Sequence, residues 1–335
     1  MAGRCDGEAT RVVKSSVYAD HVIPHIGRAL AMADTVRGSR TYGCFDRAFW
    51  YYRTLTNFPG SGWQQLAFAL ALIHDTNSPD NPHAGDARLL DAALAGIAWW
   101  ASIQHRDGSF DEWYLNEHSY CPTAFTVAGV GGTLLLLGER VPQATRQAVL
   151  AALDRAGAWL AQRYNAKVMN QNLAAAAGLA ALHALTGDDR WQRALSEKLD
   201  RLAEDQSGEG WFPEYDGCDF GYSTLALDML ARINLISGDP RAAAMAERLG
   251  VFLNDISGRF GLPPGRLGSR GTAHLFPYGA EYFADSFPDC AALCRKWRAI
   301  HGAGLAAGPG DVDDRYFAYF YLPQFALALH WMTSH

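Results

Sequence analysis

Apolar residues recur at three- and four-residue intervals along almost the whole chain, and this helical period restricts the fold more than any other feature. The pattern is clearest over 64–73 and 86–105, where Ala and Leu dominate. It returns over 18–35, 121–138, 143–163, 168–186, 189–205, 221–237, 240–257, 288–301 and 314–333. No convincing stretch alternates with the period of two that a half-buried strand requires. Two connectors, Thr186-Gly187-Asp188-Asp189 and Ser237-Gly238-Asp239-Pro240, stop one helix and cap the next. They are short and plain, whereas the alternate connectors are long, aromatic and acidic. Plain loops at one end and rich loops at the other predict antiparallel helix pairs arranged in a ring with one functional face. The expected fold is all-α, a single (α/α) toroid of about five to six helical hairpins over 18–335, with an N-terminal extension over 1–17. A hairpin with its long loop repeats every ~45–55 residues.

Composition narrows the class. With 49% hydrophobic and 19% charged residues in 335, the chain can build one extended core, but its apolar runs are too interrupted to predict a membrane span. The start, Met1-Ala2-Gly3-Arg4-Cys5-Asp6, carries no apolar signal segment, which gives a cytoplasmic expectation. Net charge is −6 and the Lys and Arg residues are scattered, so the basic stripe of a nucleic-acid binder is missing. Cys5, Cys44, Cys121, Cys218, Cys290 and Cys294 form no CxxC pair and no cluster with His. They read as reduced thiols, and neither a metal nor a cofactor is expected.

Two of the long loops echo each other. Gln104-His105-Arg106-Asp107-Gly108-Ser109-Phe110 and Gln206-Ser207-Gly208-Glu209-Gly210-Trp211-Phe212 each set a Gln at a helix end, then a Gly-containing turn and an aromatic. Here the amide would tie the helix end while the ring stacks over it. These loops resemble the QW-like repeats of α/α-toroid terpenoid cyclases and the related turns of toroid polysaccharide lyases.

Polar chemistry gathers in the same loops. The first runs Asp111-Glu112-Trp113-Tyr114-Leu115-Asn116-Glu117-His118-Ser119-Tyr120. Its segment Asn116-Glu117-His118-Ser119-Tyr120 resembles the Asn-Asn-His-Ser-Tyr type segment of toroid alginate and heparinase II/III-like lyases. In that family an Asn neutralises a uronate carboxylate and a His or Tyr removes the C5 proton. Glu117 stands where the family has its second Asn, so the neutraliser would be Asn116 or come from elsewhere. Such chemistry needs both parts, because a proton next to a carboxylate is weakly acidic until the charge is offset and a base is in reach. His118 can equally serve as a helix cap.

The second loop, from Phe212 to Tyr222, crowds Glu214, Asp216 and Asp219 with Tyr215 and Tyr222. Crowded carboxylates can form an acid/base pair, and Asp219 sits where an N-cap belongs. The third, from Leu267 to Glu281, carries Arg270, His274 and Tyr278 among glycines. Arg270 is a carboxylate clamp or a surface ion pair. Asn172, in Asn170-Gln171-Asn172, is a second neutralising amide or a bridge between helix ends.

Asp311-Val312-Asp313-Asp314 resembles the DxDD acid motif of class II terpenoid cyclases, in which the middle residue, here Asp313, donates a proton. Arg315 beside it favours the ionised acid, and N-capping is the alternative role.

The first expectation is therefore a lyase or epimerase that abstracts the C5 proton of a uronic-acid-containing glycan. His118 and Tyr222 would be base and acid, and Glu214 a further acid/base group. Asn116 or Asn172 with Arg270 would hold the carboxylate, and Trp113, Tyr120 and Tyr278 would line the substrate cleft. The alternatives are a compact class II terpenoid cyclase acting on a prenyl substrate through Asp313, and a non-catalytic glycan-binding toroid.

Overall fold

A computed structural model describes residues 16–52, 57–261 and 267–335. The expected extension over 1–17 lies almost wholly outside the described residues. Among them the secondary structure is helical, with a few isolated bridges and no strand. The helices are α1 (Val17–Val22), α2 (Ile26–Met32), α3 (Leu66–Asp75), α4 (Ala87–Ser102), α5 (Tyr120–Leu137), α6 (Gln143–Ala161), α7 (Met169–Thr186), α8 (Asp189–Asp205), α9 (Phe220–Ser237), α10 (Pro240–Phe260), α11 (Tyr278–Tyr282), α12 (Pro288–Gly302), α13 (Asp314–Tyr316) and α14 (Leu322–Ser334).

Two kinds of helix follow from two kinds of sequence. Helices α5, α7 and α9 are apolar all round and buried almost throughout. Helix α8 buries only the stripe Trp191, Leu195, Lys198, Leu199 and Leu202, and its remaining faces are polar. The apolar helices form the inner layer: α3 touches α5, α5 touches α7, α7 touches α9, α9 touches α11, α11 touches α14, and α14 touches α3 again. Helices α4, α6, α8, α10 and α12 lie outside, each against an inner neighbour. The fold is all-α and consistent with the expected toroid.

Close approach in the inner layer depends on small residues. A Cβ on Gly131 of α5 would stand 2.8 Å from Ala181 Cβ, and one on Gly178 of α7 would stand 2.7 Å from Val127 Cγ1. The segment Tyr120–Arg140 has the length and hydropathy of a membrane span, but its most apolar window is 72% buried inside the fold as a core helix.

The echoed loops are structural staples with one geometry. Gln104 Nε2 donates to the carbonyls of Gly108 (3.0 Å) and Ala152 (2.8 Å), and Gln206 Nε2 donates to those of Gly210 (2.7 Å) and Met245 (2.9 Å). Gly108 and Gly210 have φ near +100° (99° and 100°), and an added Cβ would meet the carbonyl oxygens of Arg155 and Arg248 at 2.3 Å. A third copy uses Gln64, which donates to Gly43 (3.0 Å) and Gly96 (2.8 Å) while Gly43 presses on Ala95. Its Gln comes from a separate segment, so no linear motif announces it.

Candidate functional site

The rich loops converge at the N-terminal ends of α5, α7 and α9. Asp111, nearly buried, is the hub of the first loop: it accepts from His105 Nε2 (2.7 Å), from the Asn116 amide (2.8 Å) and from the His118 amide (3.1 Å). Burial would raise its carboxyl, but the hydrogen bonds from His105 and these amides hold it below the usual range. They also fix Asn116 (φ 59°) and His118 (φ 53°) in the left-handed region. Tyr215 (φ 54°) and Asp216 (φ 69°) in the second loop are the other non-glycine residues of this kind among those described. Among the described residues, strain of about 1–3 kcal/mol per residue is thus confined to two of the three loops that the sequence singles out.

Between these loops lies an open cavity of about 340 Å³, bordered by Trp113, Ser119, Tyr120, Asn170, Gln171, Tyr215, Tyr222, Arg270, Arg315 and Tyr316, among others. Tyr222 is 5% exposed, and the Arg270 guanidinium lies 4.0 Å above its ring. Burial and Tyr316 push the Tyr222 hydroxyl up, Arg270 only partly offsets them, and the phenol is neutral at pH 7. Behind Arg270 sits Glu214, 2% exposed, which accepts from the Asn170 amide (3.0 Å) and side chain (2.6 Å) and lies 3.5 Å from Arg270 Nη1. Burial raises the Glu214 carboxyl to about 7 against the pull of Asn170 and Arg270. A second cation, Arg315, pairs with Glu112 and stacks 3.7 Å over Trp113.

Asp219 N-caps α9 through the Tyr222 amide (3.0 Å), and its other oxygen takes the amides of Arg270 (3.1 Å) and Thr272 (3.3 Å), tying the third loop to the second. His274 hangs from that loop, with Nδ1 2.9 Å from the Tyr321 hydroxyl and its ring edge-on to Tyr222 at 5.5 Å. Its Nε2 has no hydrogen-bond partner among the described residues, and burial lowers the imidazole to about 4.

The structure gathers some of the sequence candidates and separates others. Tyr222, Arg270, Tyr120 and Trp113 border the cavity, with Glu214 beneath it. His118 is exposed one residue before Ser119 and is not among the lining residues. Its Nδ1 faces Ser109 Oγ (2.7 Å) and Asp107 Oδ2 (3.0 Å), and its ring stacks on His105 at 4.2 Å. Asn116 is exposed on the same loop. Asn172 is fully buried and spent on structure, bonded to Asn165 N (3.0 Å), to Asn165 O (2.7 Å) and to the Tyr120 hydroxyl (2.9 Å). Tyr278, 1% exposed, lies away from this cavity against Tyr282 and Trp331, because the turn carrying it folds inward as α11.

The acidic string is used locally. Asp313 caps α13 through the Tyr316 amide (2.8 Å), Asp314 pairs with Arg28 (2.8 Å), and Asp311 accepts from the Gly308 amide (2.8 Å). Asp313 therefore occupies an exposed cap and not the end of a closed pocket. Cys44, Cys121, Cys218, Cys290 and Cys294 are free thiols, and among the described residues no three His, Cys, Asp or Glu side chains converge as a metal-holding group. Sequence reasoning overlooked Arg315 and Tyr316 as cavity residues, although both stand beside the acidic string that drew attention to that segment.

Comparison with known families adds one observation. Residues 81–211 match the family model of the Ulvan lyase N-terminal domain. The matched span runs from the approach to α4 through α8, with the first echoed loop, the second as far as Trp211, His118, Tyr120 and Asn170–Asn172 inside it, and ends before Tyr222 and Arg270. It makes the chain polysaccharide-lyase-like and helical, and lends nothing to the terpenoid-cyclase resemblance. No curated protein sequence matches the chain.

Proposed function

We propose that this chain is a polysaccharide lyase that cleaves a uronic-acid-containing glycan by β-elimination in the cavity between the rim loops. One observation carries the reading: the ring of Tyr222, whose buried hydroxyl stays neutral, lies directly under the guanidinium of Arg270, at an open cavity wide enough for a sugar.

Among the described residues Arg270 has one ion pair, a long contact to Glu214, and it keeps donors for a substrate carboxylate, whose charge it offsets as the C5 proton leaves. His118 is the proposed base: it stands on the rim loop outside the cavity lining, one residue from Ser119, and so serves a sugar whose C5 lies at the cavity's open mouth. With its Nδ1 proton held by Asp107 and Ser109, Nε2 is the basic nitrogen. The C5–H electrons form the C4=C5 bond, the C4–O4 bond breaks, and the departing O4 takes the Tyr222 proton. Burial favours this last role, since it keeps the hydroxyl protonated at rest. The neutral donor beside the leaving oxygen also favours elimination over epimerisation. Asn170 supports the site by holding Glu214 behind Arg270.

The test is incubation of the full chain with a panel of uronate polysaccharides, following the ultraviolet absorbance of unsaturated uronates. Unsaturated products are expected from at least one substrate, with the rate lowered about 10²–10⁴-fold in His118→Ala. A folded protein that produces none across the panel would overturn the reading. Retention of the rate in His118→Ala would remove that residue as base.

A further inference from the structure

Beside the cavity, on the far side of Tyr120, lies a groove of about 140 Å³ between the end of α6 and the outer helix α8. Arg163, Lys198 and Arg201 line it. Lys198 sits on the stripe that α8 turns inward and is only 4% exposed. Its Nζ donates to the Arg163 carbonyl at 2.7 Å and to the Tyr120 hydroxyl at 3.3 Å, both uncharged acceptors. No carboxylate of the described residues lies within 4.0 Å of Lys198, Arg163 or Arg201.

A buried ammonium without a counter-ion is costly, and two further unpaired cations beside it, in a chain of net charge −6, raise that cost. Both guanidiniums lie over aromatic rings, Arg201 at 3.7 Å from the centre of Tyr164 and Arg163 at 4.2 Å from that of Trp159, and Arg163 Nη1 also donates to the Trp159 carbonyl at 3.1 Å. These contacts hold the two side chains at the groove and leave further donors for a ligand. Two acids are near: Asp205 accepts the Tyr164 hydroxyl at 2.5 Å, and Glu197 lies on the groove's border. The Tyr120 hydroxyl, bonded by Lys198 on one side and by Asn172 on the other, joins this groove to the cavity.

We infer that the Arg163, Lys198 and Arg201 groove is a second anion subsite, taking an acidic group that the glycan carries beyond the residue held in the cavity. The assignment to a glycan substituent rests on the lyase reading, while oxyanion binding as such does not. Arg201 makes the in-plane contacts, Lys198 supplies the desolvated charge, and occupancy fixes Tyr120 as one wall of the cavity.

Inorganic sulfate titrated into the full chain at constant ionic strength, followed by calorimetry, is the first arm. Binding of one sulfate per chain is expected, weakened about tenfold or more in Arg201→Gln, whose exposed side chain leaves folding intact, and again in Lys198→Met. The second arm is elimination kinetics on an active polyuronate: Arg201→Gln is expected to raise KM about tenfold with kcat within about twofold, and sulfate is expected to compete with the glycan. Sulfate binding unchanged by Arg201→Gln would overturn the subsite. Non-competitive sulfate would overturn its assignment to the glycan and mark a free-ion site. Arg201-dependent sulfate binding in a chain without elimination would instead sink the lyase reading and leave the anion site standing.

Discussion

The two ends of the same inner helices differ in almost every local property. At the C-terminal ends of α7 and α9 the chain turns through Gly187 (φ 67°) and Gly238 (φ 66°), and then Asp188 and Asp239 cap the next helix. Nothing approaches a Cβ built on either glycine. At the N-terminal ends, Asn116, His118, Tyr215 and Asp216 hold left-handed backbone without being glycine, and buried groups such as Glu214 and His274 are shifted from their ordinary titration. One end is built from residues that suit their conformation, and the other holds residues against their preference. That contrast supports the proposed site independently of any motif, because strain and shifted groups persist only where the surroundings impose them.

Substitutions at the two ends should separate activity from stability. The largest effect is expected from Arg270→Gln, which removes the proposed carboxylate clamp: turnover on a uronate glycan falls about 10²–10³-fold while the melting temperature changes little. Equal loss of turnover on swapping a connector residue would erase the contrast. Next comes Glu214. Its folded carboxyl titrates near 7, above the ordinary value of 4.5, so the stability it contributes is full below pH 4.5 and is lost as pH rises through 7, on the order of 3 kcal/mol. Denaturant unfolding of Glu214→Gln across pH 4 to 8 should lack this fall.

Smaller still is Asn116→Gly, which relieves left-handed strain and is expected to stabilise by about 1 kcal/mol while lowering turnover, since His118 loses part of its anchorage. A destabilised Asn116→Gly would show that the loop conformation is not strained. The smallest is Asp239→Ala, which removes the cap on the Arg241 amide (2.9 Å) at an expected cost of about 1 kcal/mol with no change in turnover.

The helices were legible because burial imposes a period and caps mark the ends. The window 221–237 falls within one residue of α9, and 189–205 coincides with α8. Where local rules are broken the reading blurred. The window 18–35 is α1, a 3-10 turn over Ile23–His25 and α2, since Pro24 has no amide to donate. The window 314–333 contains a π-turn over Phe317–Tyr321. The five-residue α11 shows no period at all, and so Tyr278, which it buries, read as a loop residue.

The site was legible in composition and not in geometry. Arg270 and Tyr222 stand 48 positions apart in sequence and meet because Asp219 ties their loops together. Arg315 reaches Glu112 across 203 residues, a pairing that no spacing within either segment could announce.

The central claim, that the Tyr222 hydroxyl in the rim cavity delivers the proton to the departing sugar oxygen, is tested most directly by the elimination rate of Tyr222→Phe on a uronate glycan that the unaltered chain cleaves. The account predicts a loss of about 10²–10⁴-fold in kcat with KM nearly unchanged, because the ring and its packing against Arg270 survive while the transferred proton does not. A Tyr222→Phe protein that forms unsaturated product at the unaltered rate would contradict it.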